Sequence, residues 1–250
     1  MDMNEFQNGT PVEYADRSVA DIDQGLRAYM IKVFNYMGMG LLLTAAVAWF
    51  VANNISLRDA LYVIENGYLQ SMTGLGWIVA FAPLALVFAF GYVMRNKSLA
   101  ATQAMFWIFS AVMGASLSDL FLLYSDASMT RVFLITAATF GAMSLYGYTT
   151  QRDLTKLGSF LFMGLIGLII ASIVNIFMKS EAVYWALSYL GVVIFVGLTA
   201  FDAQKIKESY YSVSGYGEMA DKAAISGALS LYLDFINLFI YLLRILGDRR

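Results

Sequence analysis

The stretch Ala223–Leu246, AAISGALSLYLDFINLFIYLLRIL, decides the fold. As a helix rising ~1.5 Å per residue, it is long enough to cross a hydrocarbon layer ~30 Å thick. Turned through ~100° per residue, Ser226, Ser230, Asp234, Asn237, Tyr241 and Arg244 fall in one narrow sector, while Leu229, Leu231, Leu233, Phe235, Ile236 and Leu238 belong to the rest. A charge at the middle of a bilayer costs at least about 2.5–3.5 kcal/mol, so this polar stripe must face protein or water. Two readings stay open. The stripe is a packing seam in which Ser and Asn bond neighbouring helices at ~0.6 kcal/mol each, or it is the wall of a polar pathway. Asp234 is costlier than a seam requires.

Outward from this segment, apolar runs recur back to the amino terminus. They lie at about Met30–Ala52, Leu75–Met94, Leu99–Tyr124, Val132–Thr149, Leu157–Met178 and Ala182–Phe201, which with the last segment predicts an all-α integral membrane protein of seven spans. Residues 1–28 are polar with both signs of charge and no apolar signal core, and read as a cytosolic tail ahead of one membrane domain over 29–250. Only Asn53–Gly74 and Asp202–Lys222 look like long connections. Aromatic residues such as Trp49, Trp77, Tyr92, Tyr124 and Tyr184 gather near span ends, at the level of the headgroups.

Composition agrees with lipid as the outer solvent. Sixty per cent of the residues are apolar and 14% charged, too few charges to cover a soluble domain of 250 residues. The net charge is −2 with no basic stripe, which excludes a nucleic-acid partner. Cysteine and histidine are both absent. That removes disulfides, thiolate metal sites, cysteine nucleophiles and the side chain that usually titrates near neutrality, so any response to pH falls to carboxylates. Serine and aspartate without histidine lack the base of a hydrolase triad, and no Gly-rich phosphate loop or metalloprotease helix occurs, so no enzyme and no bound cofactor are expected.

Lys and Arg concentrate on the amino-terminal side of the spans, with only Arg58, Arg131 and Lys179 in the opposite loops before Arg244, which predicts a cytoplasmic amino terminus. A full seventh crossing would carry Arg244, Arg249 and Arg250 outside; a re-entrant last segment would return them. The segment's length favours the full crossing.

Asp202 follows the apolar run Gly191–Phe201 and precedes AQKIK, at the cytosolic end of span six. Span seven starts from that side, so Asp202 and Asp234 are candidates to meet in the cytosolic half of the membrane. Close carboxylates share a proton or accept a cation. A simple helix-end pairing of Asp202 with Lys205 is the alternative. Asp119, beside Ser116 and Ser118 at the outer end of span three, reads as a solvated interfacial residue or as a lure for cations. Arg95 and Arg152 read as interfacial anchors that are also candidate counter-ions for the aspartates.

GLTAFDAQKIK (Gly197–Lys207) followed by LYLDFINLFIYLLRILG (Leu231–Gly247) is similar to the paired signature of the transmembrane Bax inhibitor motif-containing family. NYMGMGLLLTAAVAW (Asn35–Trp49) and YTTQRDL (Tyr148–Leu154) extend the resemblance over nearly the whole chain after the tail. It implies a seven-helix fold with the last helix central. For bacterial members it also implies a pH-sensitive calcium leak gated by an aspartate pair, which by motif position falls on Asp202 and Asp234. In that picture the pair holds calcium transiently, as hard oxygen donors do, and loss of their shared proton opens a path lined by Ser230, Asn237 and Tyr241, with Asp119 and Arg95 at its approaches. Ser118-Asp119 departs from the Gly-Pro-like break expected of relatives. Other bacterial relatives lack the second aspartate and act on a membrane-anchored AAA protease of the FtsH type. The rival to a channel is therefore a non-transporting regulator of that protease or of cell-death and stress proteins. A monomer in a bacterial inner membrane is expected.

Overall fold

The computed structural model describes residues 19–65 and 68–249. The expectation of a polar tail falls, for residues 1–18, outside the described residues; from Val19 onward the chain is helical. The elements are α1 (Val19–Asn53), α2 (Ile55–Leu61), β1 (Tyr62–Glu65), β2 (Tyr68–Met72), α3 (Gly74–Asn96), α4 (Leu99–Ser116), α5 (Leu120–Leu123), α6 (Asp126–Thr149), α7 (Thr155–Met178), α8 (Glu181–Val213) and α9 (Gly217–Leu246). Seven helical segments, with α4 and α5 counted as one, are long and apolar enough to cross a membrane. The protein is an all-α, multi-pass integral membrane protein.

Local sequence sets the helix starts. Thr73, Ser98, Ser125 and Ser180 each accept a hydrogen bond on the side-chain oxygen from a backbone N–H three residues on, which satisfies one of the orphan donors of a new helix. Pro83 lies inside α3, and Lys179 ends α7 in the left-handed region at φ 51°.

The last helix is the axis of the bundle. In the most apolar window of α9, 56% of the residues are buried, against a third or less in every other span. It packs on α1, α4, α6 and α8, while α3 lies outside α4 and α7 outside α8. Its small residues explain the position: Ala224, Gly227 and Ala228 are buried and let neighbouring helices come close. At one end Lys32 pairs with Asp221 at 2.6 Å and Lys222 donates to the Lys97 carbonyl at 2.7 Å. At the other, Asp248 donates its N–H to Ser128 Oγ at 2.9 Å and accepts from the Ser125 N–H at 3.2 Å. The seventh segment thus runs through the whole bundle and is not re-entrant.

Both supposed long connections turn out to be structured. Helix α8 does not end at Phe201 but continues to Val213, which leaves only residues 214–216 to reach α9. The extension is polar, so hydropathy misses it. Its helix-forming run KIKES is followed by Tyr210, whose ring meets Tyr29 of α1 at 5.4 Å, and Ser209 lies 3.2 Å from the Tyr29 phenol. Between α1 and α3, α2 leads into an antiparallel hairpin that pairs Tyr62 with Met72, with a bulge at Val63/Ile64. Leu61 and Tyr62 bury against Val51 to form a small second core.

Candidate functional site

The register of α8 against α9 brings the two aspartates into the same stretch of the bundle. These helices run antiparallel. Gly191 of α8 lies under the Tyr241 ring, and further along Ile206 covers Gly227. Between those two close approaches the antiparallel register sets Asp202 and Asp234 within about one helical turn of each other along the α8–α9 contact. Asp234 is only 5% exposed, and its Oδ2 has no hydrogen-bond partner among the described residues. Asp202 is half-buried. Carboxylates taken out of water near one another can share a proton or accept a cation, because an unpaired buried charge is costly.

The alternative partner, Lys205, lies one helical turn along α8 from Asp202, near enough for its charge to act on the carboxylate. Lys205 makes no ion pair within 4 Å among the described residues, and its Nζ lies 5.9 Å from the centre of the Phe201 ring. Arg95 is exposed at the end of α3, and Arg152 is exposed in the α6–α7 turn; among the described residues neither is ion-paired to an aspartate. Asp119 stands at the opposite end of the bundle, half-buried in the turn between α4 and α5, where the helix breaks at Leu117–Asp119 without the Gly-Pro pair expected of relatives. The Tyr62 phenol closes over that turn with its oxygen 2.8 Å from Ser118 Oγ. Burial pushes this phenol above its ordinary pKa, and the charge of Asp119 adds to the shift against the Ser118 hydrogen bond.

The polar stripe is continuous but not open. Ser226, Ser230 and Asn237 are half-buried along α9, and Asn237 donates its amide to the Leu233 carbonyl of its own helix at 2.8 Å. Tyr241 is buried, its ring stacked on Phe195 at 5.8 Å and covered by the Arg244 guanidinium at 5.1 Å. Arg249 then donates to the Tyr184 phenol at 2.7 Å. The stripe therefore ends in a plug of stacked rings and guanidinium groups.

Three residues that hold the site escape a reading of the sequence. Gln204 uses both ends of its amide on the α6–α7 turn: Oε1 accepts from the Leu154 N–H and Nε2 donates to the Arg152 carbonyl, each at 2.8 Å. This pins α8 two residues past Asp202. On α9, Tyr232 points away from Asp234, toward α1 and α4, where its phenol meets Thr44 Oγ1 at 2.6 Å between Phe106 and Phe109. Thr44 in turn donates toward the Gly40 and Ser110 carbonyls. Among the described residues no cluster of three or more acidic, Cys or His side chains offers a closed metal cage.

A seven-helix bundle whose central helix buries a carboxyl with one unpartnered oxygen defines the class: a polytopic membrane protein with an acidic group in its interior. The chain belongs to the Bax inhibitor-1-like family, whose model, described as Inhibitor of apoptosis-promoting Bax1, matches residues 26–250. It is 46% identical over 241 residues to the inner membrane protein YbhL of Escherichia coli K12, covering 93% of this chain and 97% of that one. It is also 49% identical over 228 residues to the uncharacterized protein RP147 of Rickettsia prowazekii, covering 91% and 92%. An uncharacterized protein of Caulobacter vibrioides is 44% identical over 249 residues, 99% of this chain and all of that one.

Proposed function

We propose that this protein is a pH-sensitive calcium leak of a bacterial inner membrane, with Asp202 and Asp234 as its gate. One observation carries the reading: Asp234 is buried on the central helix with a carboxylate oxygen left unpartnered, within about one helical turn of Asp202 along the α8–α9 contact. Oxygen donors suit calcium, and two carboxylates without a third ligand make a stopping place for a passing ion, not a storage site. With a shared proton the pair draws α8 and α9 together, and the Tyr241–Phe195 stack and the internally bonded Asn237 describe a shut passage. Loss of that proton sets two negative charges against each other, which drives the helices apart and wets the stripe past Ser230, Asn237 and Tyr241. Raising the pH therefore opens the path.

The amino terminus lies in the cytoplasm on this reading, because the basic residues crowd that end. The name of YbhL supports an inner membrane. Both gating residues come from one chain, so a monomer suffices. The test is calcium flux into proteoliposomes from about pH 5 to about pH 8, the range in which a perturbed carboxylate pair would have to act in a chain without histidine. Flux should rise with pH in the parent, and Asp202→Asn and Asp234→Asn should each remove the dependence while the protein stays folded. Absence of calcium flux at every pH would leave the family's other mode, regulation of a membrane protease or of stress proteins without transport.

A further inference from the structure

Helices α1 and α6 both pack on α9 but barely on one another, and the gap between them is a cleft of about 570 Å³ that opens toward the lipid. Phe34, Met37, Phe140, Leu145 and Phe235 line it, and among the residues whose side chains are described no acidic one does. Two features are out of place in a purely greasy groove. Ser144, 3% exposed in its wall, has a buried hydroxyl with no hydrogen-bond partner, although Thr136 and Thr149 on the same helix both bond back to carbonyls. At the amino-terminal mouth stands Arg27, whose side chain is exposed. Beside Tyr148, which also lines the cleft, Lys207 donates to the Tyr148 carbonyl at 2.8 Å and sits 5.5 Å over its ring, so two of its three N–H groups remain for an anion.

We propose that this cleft binds one anionic glycerophospholipid, with its phosphate between Arg27 and Lys207 and one acyl chain running along α6 to Phe235. Ser144 lies one helical turn, ~5.4 Å, below Tyr148. That is where the acyl ester carbonyl falls when the phosphate is at the mouth, and a χ1 rotation of Ser144 would turn its covered hydroxyl toward that acceptor. Arg27 lies just ahead of the apolar run that starts near Met30, so it sits at headgroup depth. The occupant is an anion at one end and hydrocarbon along the rest, which matches the charge and the lining together.

Full-length protein in a neutral detergent, titrated with phosphatidylglycerol or phosphatidylcholine and read by native mass spectrometry, tests this. One phosphatidylglycerol should bind at least about fivefold more tightly than phosphatidylcholine, the factor a single basic residue contributes against an anionic headgroup. Arg27→Gln should erase most of that preference. A Cβ at Gly141 meets nothing within 4 Å, so Gly141→Leu fills the cleft without disturbing the helix and should block both lipids; Leu145→Trp, from the opposite edge of the wall, is the second blocking variant. Equal affinity for the two lipids, full binding of phosphatidylglycerol by both blocking variants, or its displacement by inorganic phosphate alone would each overturn the proposal.

Discussion

The phenol of Tyr232 and the hydroxyl of Thr44 lie 2.6 Å apart, and both side chains are almost completely buried, at 0% and 4% exposure. Thr44 has one proton, which it gives to the Gly40 or Ser110 carbonyl, so the phenol is the donor in this contact. Removing the donor and removing the acceptor are then unequal. Tyr232→Phe deletes one hydrogen bond and leaves no orphan, at a cost of about 0.6–1 kcal/mol. Thr44→Val keeps the shape but strands the phenol in a ring cage, at a cost of about 1–3 kcal/mol. Unfolding in mixed micelles should rank the two in that order, and a larger loss for Tyr232→Phe would show that the proton is assigned the wrong way round.

Asp234 behaves oppositely to an ordinary core residue. Its carboxyl has been taken out of water with one oxygen unpartnered, a penalty of about 1–3 kcal/mol that an apolar group of similar size does not carry. Asp234→Leu should therefore be at least as stable as the parent and melt at the same or a higher temperature, as when buried ionic groups are exchanged for well-packed apolar ones. Since only the proton-sharing form draws α8 to α9, the comparison belongs at the alkaline end of the flux range, and a clear drop in melting temperature there would mean that the ionised acid also fastens the two helices.

How far the sequence reached can be judged on these same residues. Asp234 is legible as a candidate because a charge inside an apolar 3.6-residue period is conspicuous, and the seven runs are legible because lipid demands long apolar helices. That Asp202 and Asp234 share one half of the membrane is legible too, but their register is not, since it depends on the approaches of Gly191 to Tyr241 and of Gly227 to Ile206. Tyr232 falls in the apolar sector of its helix and gains a partner only when α1 approaches. The continuation of α8 to Val213 is hidden because hydropathy marks where lipid ends, whereas Tyr29 and the α6–α7 turn decide where the helix ends.

Gln204 should control that turn more than its place beside two lysines implies. With both amide ends engaged at 2.8 Å, Gln204→Leu leaves the Leu154 N–H and the Arg152 carbonyl without partners, worth about 1–3 kcal/mol for the buried group. Leu154 is 5% exposed, so water does not readily replace the lost acceptor. The local opening that follows raises the cleavage rate at Arg152 by roughly 5- to 150-fold in limited trypsin digestion, because cleavage of an open state follows its population. Gln204→Glu keeps the acceptor for Leu154 and should fall between the two. Identical digestion rates for all three proteins would remove Gln204 as the clamp.

Two glycines on α6 separate close helix packing from simple flexibility. A Cβ at Gly147 would strike the Ala200 carbonyl, a backbone atom of α8 two residues before Asp202, and neither helix can yield without shifting the other. At Gly141 a Cβ meets nothing within 4 Å. Gly147→Ala should thus cost about 1–3 kcal/mol through overpacking, whereas Gly141→Ala should be neutral or stabilise by up to about 1 kcal/mol, since alanine is the better helix former. Because the α6–α8 contact sets the height of Asp202, Gly147→Ala should also shift the pH profile of calcium flux, which Gly141→Ala should leave in place. Equal melting temperatures for the two variants would mean that α6 and α8 do not approach as closely as the Gly147–Ala200 contact requires.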